Sequence, residues 1–303
     1  MAENNQPIAF MRLKWVYFAI SLLVIVPGTF SLIRWGLRLS IDFTGGSLME
    51  IHAPVAVDQT KFTAVAASQK LELSSVQTSN NNTYLLRFKP LTQQQSTAYT
   101  TALDQALGAK VAVDRFESVG PTIGAELTRK ALLALVVASL CIILYIAWSF
   151  RRIPRPYSSW KFGVSAVIAL LHDALVVTGL FSIFGHFYGV EVDTLFVTAL
   201  LTVIGFSVHD TIVVFDRVRE NLPKLPRATF SQVVDFSLTE TLNRSLNTSL
   251  TVLLTLTALI LFGGDTIRWF VIALLIGIFS GTYSSIFNAS PILVLWEQKS
   301  RDV

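Results

Sequence analysis

Val203–Asn221 reads VIGFSVHDTIVVFDRVREN. It is an apolar run of helical length that carries a carboxylate, Asp210, well before its charged end. An Asp at the centre of a membrane helix costs about 2.5–3.5 kcal/mol on translocon scales. Such a residue persists only where it faces protein or water, and it points to function. From Asp210 to Arg217 is about two turns, roughly 10 Å. The carboxyl therefore belongs inside hydrocarbon, toward the end marked by Asp216, Arg217, Arg219 and Glu220.

The chain around it suits a membrane. Of 303 residues, 52% are hydrophobic and 15% charged, with mean hydropathy +0.56. That charge share is well below the roughly 25% of soluble domains. The net charge of +4 comes from basic residues in short loops beside apolar runs, a topology signal and not a nucleic-acid surface. The one cysteine, Cys141, lies mid-segment and excludes a disulfide framework.

Six stretches reach the spanning length of about 20 residues: Trp15–Ile33, Leu132–Phe150, Phe162–Phe184, Thr194–Phe215, Ser245–Phe262 and Trp269–Trp296. The first is long enough to remain as an anchor and lacks a clear small-residue cleavage pattern. In a six-span order, Arg12, Lys14, Arg151, Arg152, Arg155, Lys161, Arg217, Arg219, Lys224, Arg227, Lys299 and Arg301 fall on one side. The opposite loop Gly185–Asp193 has no Lys or Arg, and Gly263–Arg268 has only Arg268. The expectation is cytoplasmic N and C termini in an inner membrane. All six tryptophans lie near span ends, as an aromatic belt requires.

One insert, Leu39–Glu126, separates the first two spans and belongs on the far, periplasmic side. A strand Ser47–His52 after Gly45-Gly46, helical spacing over Val57–Leu71, and strands Ser75–Thr78 and Tyr84–Phe88 around Asn80-Asn81-Asn82 come first. A polar helix Thr92–Leu107 ending at Gly108, and a last strand Val111–Ser118, complete the order βαββαβ of a ferredoxin-like unit. The expected architecture is a polytopic α-helical membrane protein, residues 1–38 and 127–303, with this α+β domain at 39–126. In 229–242, Phe230, Val233, Val234, Ser237, Leu238 and Leu242 follow helical spacing, which predicts a short amphipathic helix on the cytoplasmic face.

Further polar residues mark the spans. Arg244 opens the fifth, followed by Asn247, Thr248, Thr251 and Thr255 on one stripe. A polar stripe in lipid would leave groups unpaired, so it is expected to face protein or water. Arg244 is then either a partner for Asp210 or an anchor reaching to headgroups. Asp173, preceded by His172, lies near the middle of the third span, where it either works or ties helices together. His209 points about 100° from Asp210. In the sixth span Gly277-x-x-x-Gly281 allows close approach to the fourth, and Ser280, Ser284 and Asn288 are expected to line the Asp210 site. Gly120-Pro121-Thr122-Ile123-Gly124 reads as an elbow into the second span, and Asp42 and Asp193 as caps. No Walker loop, Gly-x-Ser-x-Gly, His-Glu-x-x-His or cysteine pair appears, so no enzyme is expected.

Asp42-Phe43-Thr44-Gly45-Gly46, Val119-Gly120-Pro121, His172-Asp173 and above all Asp210–Asn221 resemble the SecF family of SecD–SecF protein-export subunits, a branch of the resistance–nodulation–division superfamily. That resemblance implies an accessory of the SecYEG translocon that uses protons as coupling ion, with no cofactor, to draw unfolded preproteins across the bacterial inner membrane. It implies SecD in trans and YajC as partners. It places the functional intramembrane Asp and the Arg of the fifth span on Asp210 and Arg244. The family more often has Asn before that Asp, where this chain has His209. The alternatives are a small-molecule or lipid exporter of the same superfamily, for which one small insert is little, and a non-conducting scaffold of the translocon.

Overall fold

The computed structural model describes residues 8–78, 82–151, 153–154 and 157–299. Asn80, Asn81, Arg152, Arg155 and Arg301 lie outside the described residues. The chain forms two compact units, Leu39–Leu132 and the remainder.

The smaller unit forms because its strands alternate. In β3 (Thr83–Phe88) Tyr84, Leu86 and Phe88 are buried, and in β1 (Gly46–His52) Met49 and Ile51 are. With β2 (Leu73–Thr78) and β4 (Ala112–Val119) they make an antiparallel sheet in the order β2-β3-β1-β4. Helices Gln59–Ser68 and Gln93–Leu107 supply Phe62, Tyr99 and Leu103 to the same core. This is the ferredoxin-like βαββαβ order. Thr92 caps the second helix in a box with Gln95, and Gly108 ends it at φ 65°. Gly45 and Gly46, at φ 71° and 130°, turn the chain into β1. A Cβ on Gly45 would stand 3.0 Å from Pro121 Cα, and one on Gly46 2.8 Å from the Phe88 carbonyl oxygen. The helix of the second span begins at Pro121, so its first turns belong to this unit, which extends six residues past the expected Glu126.

Among the described residues six helices are long and apolar enough to cross a membrane: Phe10–Arg34, Pro121–Ser149, Ser159–Tyr188, Thr194–Asn221, Phe230–Phe262 and Thr266–Gln298. The third, fourth and sixth bury the largest share of their surface, and the second buries least. Asp193 caps the fourth by accepting from Phe196 N at 2.8 Å.

The stretch 229–242 is not a separate surface helix. It is the start of a 33-residue helix, Phe230–Phe262, opened by a capping box between Thr229 and Gln232. No Gly or Pro interrupts Leu242–Asn247, so nothing breaks the backbone hydrogen bonds there. Its apolar face is covered by protein: Phe230 lies against Tyr157 and Phe162, and Met11 N donates to Asp235 Oδ1 at 2.9 Å.

Gly277 and Gly281 face the fourth span. A Cβ on Gly277 would sit 2.1–2.9 Å from the Val203 side chain, and one on Gly281 3.1 Å from Ser207 Cβ. The two backbones approach because neither residue carries a side chain. After Ser284 the sixth span takes one π-helical turn, Ser285–Ala289. Pro291 has no N–H for the carbonyl four residues back, so the helix cannot keep its regular pattern there.

Candidate functional site

The close fourth–sixth seam sets two carboxylates into polar surroundings of different quality. Asp173, on the third span, is 1% exposed. Ser207 Oγ of the fourth span donates to its Oδ2 at 2.5 Å, Ser284 Oγ of the sixth to the same oxygen at 2.6 Å, and Ser280 Oγ to Oδ1 at 2.7 Å. His172 Nδ1 stands 2.9 Å from Oδ1. Ser280 and Ser284 are one turn apart and so share a face. Gly281 lets that face reach Ser207. One carboxylate therefore ties three helices together through hydroxyls that would otherwise lie unpaired in hydrocarbon.

Asp210, 3% exposed, is held more loosely. Ser249 Oγ of the fifth span and Thr282 Oγ1 of the sixth each approach its Oδ2 only to 3.5 Å, while bonding each other at 2.6 Å. At 3.5 Å a hydrogen bond has lost most of its strength. Thr282 lies between Ser280 and Ser284 in sequence and points to the other side of its helix. The sixth span thus presents hydroxyls to both acids. Ser207 and Asp210 are three residues apart, about 4.5 Å along the fourth span. Just beyond, Thr211 Oγ1 and Ser285 Oγ pair at 2.8 Å.

Several expected lining residues stand elsewhere. Ser280 and Ser284 serve Asp173, not Asp210. Asn288 Oδ1 accepts from Ser21 Oγ of the first span at 2.9 Å, within the π turn. Arg244, Asn247, Thr248 and Thr251 are exposed, as is Thr255. The fifth helix turns Ser245, Ser249 and Leu256 inward instead. The polar stripe can face outward because its threonines bond their own helix: Thr248, Thr251 and Thr255 each donate to the carbonyl four residues back, at 2.9, 2.5 and 3.0 Å. Among the described residues no direct bond joins Arg244 to Asp210; Arg244 lies five residues from Ser249, roughly 7.5 Å along the axis. His209 is exposed, on the face away from Asp210.

Sequence reasoning passed over Ser207, Ser249 and Thr282, the hydroxyls that meet the two acids. The available signal was the i, i+4 run Ser237, Thr241, Ser245, Ser249, one residue out of phase with the polar stripe.

Residues 99–299 match the family described as protein export membrane protein SecD/SecF, C-terminal, and residues 30–53 match the SecD/SecF GG motif. The chain is 46% identical over 303 residues to the protein translocase subunit SecF of Thermobaculum terrenum, covering 96% of this chain and 95% of that one. It is 39% identical over 302 residues to the subunit of the same name from Synechocystis, covering 94% and 93%. Among solved structures it is similar to SecDF, a translocon-associated membrane protein from Thermus thermophilus, with TM-score 0.83, 33% identity and 98% of this chain covered. A second SecDF structure, in the super-membrane-facing form, matches with TM-score 0.70 and 32% identity over 100% of this chain. The chain spans 40% of the length of each of these SecDF chains.

Proposed function

The chain belongs to the SecF family of protein translocase subunits, and from that premise we propose that Asp210 couples proton movement to preprotein transport. The transported chains are unfolded preproteins leaving through the SecYEG translocon. The chain works beside SecD, with YajC associated, in the bacterial inner membrane, with its termini cytoplasmic and residues 39–126 periplasmic. The observation that carries this reading is the contrast between the two acids. Asp173 has four close partners, which suits a fixed tie. Asp210 is as deeply buried, but its two hydroxyl contacts are at 3.5 Å. A carboxyl so placed changes its proton without breaking a strong bond.

Burial favours the neutral form of such a group and a nearby cation the charged form. A proton crossing 100 mV releases about 2.3 kcal/mol, enough to bias two helix packings. Loading and unloading Asp210 alters its attraction to the Ser249–Thr282 pair and so the fit of the fourth, fifth and sixth helices. Arg244, His209 and Asn247 face outward, which suits burial against the helices of SecD.

The experiment is preprotein export in vesicles containing SecD and SecYEG, with and without an uncoupler. Asp210→Asn is expected to assemble normally and to export at the rate of uncoupled wild type. A variant that exports at full rate and still responds to the uncoupler defeats the coupling reading in favour of a scaffold.

A further inference from the structure

The proton-coupling reading, on which this inference rests, requires a path between Asp210 and the Lys/Arg-rich surface. One face of the fifth helix is a run of buried hydroxyls at four-residue intervals: Ser237, Thr241, Ser245 and Ser249. Its inner end, Ser249, reaches Asp210. At its outer end Ser237 Oγ accepts from Asn221 Nδ2 at 3.0 Å, and the same Nδ2 donates to Glu240 Oε2 at 2.7 Å. Glu240 is partly exposed and holds Arg217 through two bonds of 2.7 and 2.9 Å. Asp235, on the same helix, is turned away to the Met11 backbone. The run therefore joins a solvent-side charge cluster to a buried acid.

The decisive member is Ser245. It is 2% exposed, and among the described residues its Oγ has no hydrogen-bond partner. Ser237 and Thr241 both donate to backbone carbonyls, and Ser249 pairs with Thr282. An unpaired buried hydroxyl costs about 1–3 kcal/mol. Successive hydroxyls on this face are separated by about 6 Å of helix rise. One water with two bonds of about 2.8 Å spans that gap.

We propose that Ser245 holds a buried water, that one water bridges each of the three intervals of the file, and that protons reach and leave Asp210 on the Lys/Arg-rich side along Ser237, Thr241, Ser245 and Ser249. Each hydroxyl or water takes one proton and releases another, so the relay ends as it began. The Asp210 carboxyl gives its O–H proton to the file and becomes a carboxylate; at the outer end the proton passes from Ser237 to the Glu240 carboxylate through a water, because the Asn221 amide between them only donates.

The test uses the full chain with its partner subunits in vesicles, comparing Ser245→Val, which removes the hydroxyl that holds the water, with Ser245→Thr, which has the same shape and keeps a hydroxyl. Ser245→Val is expected to lower the proton-driven increment of export by about tenfold or more, and Ser245→Thr to keep it. Full activity of Ser245→Val alongside an inactive Asp210→Asn overturns the path and leaves the coupling reading intact. An unaffected Asp210→Asn overturns the reading itself. Where Ser245→Val does not assemble, the thiol of Ser245→Cys decides. Its S–H infrared band is expected to convert to S–D on transfer to heavy water long before the backbone amides of that helix exchange. A thiol that exchanges only with those amides is dry, which overturns the proposal and makes Ser245 a packing residue.

Discussion

Asp173 shows what an intramembrane acid does when every direction around it is filled. Its bonds to Ser207, Ser280, Ser284 and His172 are 2.5–2.9 Å. At the membrane average of about 0.6 kcal/mol each, four bonds amount to about 2.4 kcal/mol. Bonds to a charged acceptor are worth about 1.5–3 kcal/mol apiece in water-soluble proteins. Asp173→Ala leaves three hydroxyls and a ring nitrogen without their partner, so a loss of about 3 kcal/mol or more is expected. Asp173→Asn retains one acceptor oxygen and loses about half as much. Thermal unfolding of the purified protein in detergent measures both. An Asp173→Ala protein as stable as wild type contradicts the tie. The sequence singles out both acids, since a carboxylate in an apolar run is conspicuous. It does not say which hydroxyls meet which acid, because Ser280, Thr282 and Ser284 fit either until the helix is rotated into place.

The rotation is decided between helices, and here small residues govern. Gly277 is filled by Val203: a Cβ would fall within 2.1–2.9 Å of that side chain. Gly277→Ala therefore pushes the fourth and sixth spans apart and lengthens the Ser207–Asp173 and Thr282–Asp210 contacts. Overpacking of this kind costs about 1–3 kcal/mol. The matching deletion Val203→Ala leaves room for one methyl. The double variant is thus expected to be more stable than Gly277→Ala alone, with a coupling of about 1 kcal/mol or more in a double-mutant cycle. Additive effects contradict direct contact. At the Lys/Arg-rich end, Lys161 and Glu297 form an ion pair at 3.3 Å with both side chains nearly buried. Lys161→Met strands Glu297 and is expected to cost about 3–5 kcal/mol. Lys161→Met/Glu297→Leu is expected to regain most of that loss in the same melts. The Gly277-x-x-x-Gly281 spacing makes the close approach legible. The phase of the fifth helix is not, because Asn247, Thr248, Thr251 and Thr255 form as good a periodic stripe as Ser237, Thr241, Ser245 and Ser249. What separates them is size: three of the four residues in the inward run are serines, whose small side chains leave space for a neighbouring helix.

At the scale of the whole molecule, the insert and the helical bundle are built on different physics. The bundle relies on shape and hydroxyl bonds, having lipid on its outside. The insert has a water-excluded core of its own in Met49, Ile51, Phe62, Leu86, Phe88, Tyr99 and Leu103. Its strands are legible because alternation marks one buried face, and its helices because Thr92 and Gly108 punctuate one of them. Residues 39–119, cut free of both flanking spans, are therefore expected to fold alone and to unfold in urea in one cooperative step. Phe62→Ala, at a fully buried position, is expected to cost about 3–5 kcal/mol, most of what a domain this small possesses. Tyr99 adds a pH test. Its hydroxyl donates to the Phe62 carbonyl at 3.1 Å, and burial pushes its ionisation above the ordinary value of about 10. Below that value the phenol is neutral in both folded and unfolded chains, and the stabilisation is complete. Above it the unfolded chain releases the proton while the folded one resists. Stability of the fragment is thus expected to fall as pH rises past about 10. Tyr99→Phe removes this part of the slope and costs about 1 kcal/mol at neutral pH for the lost hydrogen bond. Urea titrations at pH 7 and above pH 10 separate the two effects. An unchanged alkaline slope in Tyr99→Phe would mean that the phenol reaches water in the folded domain.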